Sequence, residues 1–149
     1  MKGKVTWVLV ADGGQAKVFE HLGPGKGLRA VAGLSFEDEH LQAREIVSDR
    51  PGRSFSSVGH GRSAMQPSSD PVALRERRFV EHLADVLAER LAAGAFSRLI
   101  VAAAPTALGD LRPALGKPLR DVIMLELPKD LTKLSTPDLE ASLAAHLAI

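Results

Sequence analysis

The sequence predicts an α/β domain: three layers around a mixed five-stranded sheet, in which an antiparallel β-meander is followed by α-β-α-β-α. Three observations carry this. Apolar, β-branched runs separated by glycine-rich turns open the chain, so its first strands pair antiparallel. Apolar runs alternating with helix-start signals fill the second half, the pattern of parallel strands joined by crossover helices. Residues 99–104 (LIVAAA) are apolar without alternation, as a strand covered on both faces requires.

Taken in order, Thr6–Ala11 (TWVLVA) is the first strand, and Asp12-Gly13-Gly14-Gln15 is turn chemistry. Residues 16–22 alternate Val18 with polar neighbours and form the second strand. Gly23-Pro24-Gly25-Lys26-Gly27 turns the chain into a third strand over residues 28–36. From His40 to Asp70 periodicity disappears, leaving a loop at about residues 40–70. A patternless stretch of this length in a compact domain is functional or disordered. Asp70-Pro71 then supplies an acidic N-cap with proline at the first helical position. Phe79, Leu83, Val86, Leu87 and Leu91 recur at helical spacing, interrupted by Arg90, and Gly94 is the C-terminal stop. Residues 105–115 read as a short helix or a turn, and residues 122–127 (VIMLEL) as the fifth strand. Thr136 reads as the cap of a last helix, with Pro137 at its first position, ending near Ala148. With right-handed crossovers joined to the meander in one mixed sheet, the expected strand order is 3-2-1-4-5, the arrangement of ribonuclease-H-like folds. Residues 1–149 form a single domain with no linker and no internal repeat.

Composition narrows the chemistry. The chain has 149 residues, 45% apolar, 25% charged and 4% aromatic. Such a length buries roughly two-thirds of its unfolded surface without staples. With no cysteine, disulfides, thiol nucleophiles and cysteine-based metal sites are excluded. A net charge of +1 provides no global field toward polyanions. Lys2 and Lys4 precede a short apolar run that Asp12 ends too early for a signal-peptide core, so that run reads as a buried strand. No run approaches the ~20 apolar residues that span a bilayer. The expectation is a cytoplasmic protein without membrane insertion.

Local charge is more informative. The loop carries Arg50, Arg53 and Arg62 with His60, and no carboxylate between residues 50 and 67. Arginine offers planar, permanently charged donors suited to phosphate oxygens, while glycine lets backbone amides approach a ligand. Phe55 supplies a ring on which a base can stack. The competing reading is a solvated loop whose arginines pair with Asp49, Asp70 or Glu76. Beyond the parallel strands, Lys129 and Thr132 either flank an anion site or, with Asp130, fix a turn. Asp12 ends the first strand where two-metal nucleases keep a carboxylate, yet the fourth strand ends Ala102-Ala103-Ala104-Pro105 without a second one. Asp12 is therefore read as a turn residue. His21, His40, His60, His82 and His146 show no metal-ligand spacing, and no GxSxG elbow exists. No cofactor or metal is expected, and the oligomeric state is not derivable.

Several motifs agree in order with one family. Trp7-Val8-Leu9-Val10-Ala11-Asp12-Gly13, Ser48-Asp49-Arg50-Pro51-Gly52-Arg53-Ser54-Phe55, Gly59-His60-Gly61-Arg62-Ser63-Ala64-Met65, Asp70-Pro71 and Lys129-Asp130-Leu131-Thr132 together resemble the bacterial host-attachment protein family, described as required for attachment to host cells. That family is in turn similar to the middle domain of archaeal and eukaryotic class-1 release factors and Pelota-type proteins. Pro51-Gly52-Arg53, Ser63-Ala64 and Arg78-Phe79 carry this second resemblance. The release-factor tripeptide Gly-Gly-Gln occurs here as Gly13-Gly14-Gln15, in the first hairpin turn and not in the long loop, so peptidyl-tRNA hydrolysis is not implied. These readings converge on a non-enzymatic interaction module for RNA, the ribosome or another anion. Arg50, Arg53, Phe55, His60 and Arg62 would make the contacts, with Lys129 as a flanking charge. The rivals are a metal-dependent nuclease or hydrolase using His60, and a structural role in host-cell attachment.

Overall fold

β1 (Thr6–Ala11) is buried at all of its positions because it lies in the middle of a five-stranded sheet. On one side it pairs antiparallel with β2 (Gln15–His21), and on the other parallel with β4 (Arg98–Ala103). β3 (Leu28–Glu37) and β5 (Ile123–Leu127) form the two edges, giving the order β3-β2-β1-β4-β5 expected from the sequence. The computed structural model describes residues 4–38 and 70–149.

The period-2 geometry of strands divides the core between two faces. Trp7, Leu9, Leu99 and Val101 face three helices: α1 (Pro71–Ala92), α2 (Pro105–Ala114) and α3 (Lys117–Val122). Val8, Val10, Ile100 and Ala102 face the opposite way, against Leu139 and Leu143 of α4 (Thr136–Leu143). The result is a three-layer α/β domain. Trp7, only 2% exposed, stacks on Phe96 with ring centroids 4.6 Å apart. A fully buried leucine or valine contributes about 1.5–3 kcal/mol by transfer from water, so the central strands and the helix faces covering them share the stabilisation.

α1 begins and ends where its caps dictate. The Asp70 carboxylate accepts from the amides of Val72 and Ala73, and Pro71 takes the first helical position. At the far end Gly94 adopts φ +80°. Its amide bonds Leu91 O while Ala95 N bonds Arg90 O, the paired geometry of a Schellman stop. The buried stripe is Val80, Leu83, Ala84 and Leu87, with Phe79, Val86 and Leu91 half-buried along its margins.

Boundaries differ from the sequence expectation after β4. Residues 105–115 do hold a short helix, and the stretch after it, given no element from the sequence, holds a second one that starts after Gly116 with Pro118 in its first turn. α3 takes in Val122, so β5 starts one residue later than its β-branched character suggested. The last helix is capped by Ser135, not Thr136. The Ser135 Oγ accepts from Asp138 N at 3.3 Å, and the helix stops at Leu143, well short of Ala148.

Neither edge strand is regular. In β3 the pairing shifts so that residues 31–34 stand against Val18 alone, with Gly33 at φ +81° absorbing the bend. In β5 Leu99 faces Ile123 but Ile100 faces Leu125, which leaves Met124 as an extra, outward residue.

Two substitutions test this account through urea unfolding followed by the emission of the chain's single tryptophan. Leu83→Ala is expected to cost about 2–5 kcal/mol, as a buried leucine truncation does. Asp70→Ala is expected to cost about 1 kcal/mol through loss of the cap.

Candidate functional site

Open α/β sheets bind ligands beyond the carboxyl ends of their parallel strands. In this protein the connections leaving β1, β4 and β5 meet at that edge. Asp12 follows β1 directly, and its Oδ1 accepts from the amides of Gly14 at 2.7 Å and Gln15 at 2.8 Å. Asp12 is thus the turn residue the sequence suggests. Asp130, three residues beyond β5, does the same for its own loop, accepting from the Thr132 amide at 3.0 Å and the Thr132 hydroxyl at 2.5 Å.

These two turns are joined across the sheet. The Gln15 carboxamide nitrogen donates to Asp12 Oδ2 at 3.3 Å and lies 3.4 Å from Thr132 Oγ1. Thr132 Oγ1 is also 3.4 Å from Asp12 Oδ2. Thr132 itself is buried. A hydroxyl has one proton, and the much shorter contact assigns it to Asp130. Gln15 of Gly13-Gly14-Gln15 therefore works as a structural donor inside the hairpin turn.

The arginine-bearing stretch is attached at the same edge. The chain enters residues 39–69 from Asp38, whose amide bonds Gly14 O at 2.8 Å. It leaves them at Asp70, the cap of α1. The second turn of α1 returns to the β1–β2 turn. Arg75 forks onto both Asp38 carboxylate oxygens at 3.0 and 3.2 Å, and a Cβ on Gly13 would sit 2.7 Å from Glu76 Oε2. Arg50, Arg53, Phe55, His60 and Arg62 lie outside the described residues. Lys129 is exposed between β5 and the Asp130 turn. Of the carboxylates weighed as partners for the arginines, Asp70 is engaged as a cap.

A second feature escapes sequence reasoning. An open cleft of about 590 Å³ lies between the end of β3 and α1, lined by Phe36, Glu37, Arg75, Phe79 and His82 among others. The His82 ring meets Phe36 edge-on, with centroids 6.0 Å apart. Phe79, which the sequence places in the core stripe, packs against the core while also lining this cleft. The available signal was that residues 75, 79 and 82 share one helical face.

Of the other histidines, His21 is buried with no partner for Nε2 among the described residues, and His146 is exposed. Among the described residues no group of three His, Asp or Glu side chains is placed to hold a metal ion. No helix among them is long and apolar enough to cross a membrane.

The junction of the two turns predicts a measurable penalty. Thr132→Val removes the hydroxyl while keeping the shape, and is expected to cost about 1–2 kcal/mol in urea unfolding. Thr132→Ser is expected to restore most of it.

Comparison with curated proteins finds no significant match. The sequence model of one family, described as "Protein required for attachment to host cells", matches residues 7–143. That span runs from the first strand to the end of the last helix and takes in the turns at the carboxyl edge, so the chain belongs to the family of proteins required for attachment to host cells.

Proposed function

We propose that this host-attachment family member is a non-enzymatic interaction module that binds single-stranded RNA, free or within the ribosome, through the carboxyl edge of its sheet. The observation that supports the reading is topological. Asp38, from which the chain enters residues 39–69, is bonded to the β1–β2 turn, the second turn of the helix that follows them reaches the same turn at Gly13, and the loop bearing Lys129 is tied to it through Thr132 and Gln15. On this reading Arg50, Arg53 and Arg62 act at the edge that also carries Lys129. Guanidinium groups in a carboxylate-free stretch suit phosphate oxygens, with Phe55 available for stacking and His60 as a further donor. A binding role also accords with the turn oxygens, since Asp12 Oδ1 and Asp130 Oδ1 are committed to backbone amides. An RNA partner implies a cytoplasmic site of action.

Such binding is electrostatic and falls steeply with salt, losing about 0.7 in log–log slope for each phosphate contact removed. An Arg50→Ala/Arg53→Ala/Arg62→Ala variant is expected to lose most affinity for single-stranded RNA and to flatten the salt dependence. Lys129→Ala is expected to have a smaller effect in the same direction. Fluorescence anisotropy with a labelled oligonucleotide at several salt concentrations measures both. Identical binding by wild type and the triple variant would overturn the proposal.

A further inference from the structure

We infer that the cleft between β3 and α1 seats a nucleobase of the bound single strand. This rests on the RNA reading above and adds the base as a recognised group. In a chain with only five phenylalanines and one tryptophan, Phe36 and Phe79 both line this one open space. Each is half-buried, packed against the core and lining the cleft. The cleft, at about 590 Å³, is large enough for a planar heterocycle with its sugar. Every base has a π-face, so partly exposed aromatic rings serve single-strand binding without strict sequence preference.

The polar surroundings fit the same occupant. Arg75 is held by Asp38 with its guanidinium half-exposed at the lip of the cleft. Arg78, one helical turn on, is exposed and makes no ion pair among the described residues. It offers a charge for the phosphate that accompanies a stacked base.

The test compares an oligoadenylate with an abasic ribose-phosphate oligomer of equal length, by anisotropy at low salt. Wild type is expected to bind the oligoadenylate about tenfold more tightly, the size of one base–aromatic stack. Phe79→Leu, which keeps an apolar contact with the core, is expected to lose most of that difference, any remainder falling to Phe55, and to leave abasic affinity unchanged. His82→Ala, a surface change, is expected to narrow the difference in the same way should Phe79→Leu perturb folding. Equal, salt-dependent binding of both oligomers by wild type overturns the base site and leaves the RNA reading standing. A difference undiminished by both substitutions also overturns it, and no binding of either oligomer overturns both.

Discussion

Everything in this protein is hung on β1, a strand that gives up all contact with water. Its backbone is satisfied on both sides by β2 and β4, and its side chains are divided between two apolar layers. A segment so placed must be apolar at consecutive positions, and the chain leaving it must be polar and tightly turned. Asp12, Gly13 and Gly14 meet that requirement. The same constraint explains why polar contacts gather at one edge of the sheet. The carboxyl end of β1 is the place where the central strand surfaces, and Asp38, Glu76 and Thr132 all converge on it.

That convergence links remote parts of the chain. Thr132 accepts from the Gln15 carboxamide 117 positions away, so the loop after β5 cannot shift without disturbing the first hairpin. The site is thus carried by short polar contacts standing on a rigid apolar base. The turns after β1 and β5 are thereby fixed at their roots by the scaffold.

Much of this architecture is legible in the sequence, for physical reasons. TWVLVA and LIVAAA are apolar through and through because two layers cover them, and Asp70-Pro71 and Gly94 announce the ends of α1 because caps need specific side chains and dihedrals. Strand order followed from the handedness of crossovers. Less legible was the stretch from Pro105 to Val122, where three prolines and two glycines break up the periodicity that separates one helix from two. Ser135 and Thr136 are both competent caps, and only tertiary placement chooses between them. The contact of Thr132 with Gln15, and of Phe36 with His82, joins residues far apart in the chain. No local pattern encodes such contacts. Arg50, Arg53 and Arg62 stand out by composition alone, and their geometry lies beyond the described residues.

The irregular borders of the sheet have a further consequence. Met124 is squeezed out of register at one border, and residues 31–34 at the other, so neither offers a straight row of amides and carbonyls to a neighbour. The most adhesive tract, LIVAAA, is locked in the interior while the perimeter is misshapen. A population of these molecules can therefore be crowded together without stitching sheet to sheet, and contacts between copies are left to the helical faces and the loops.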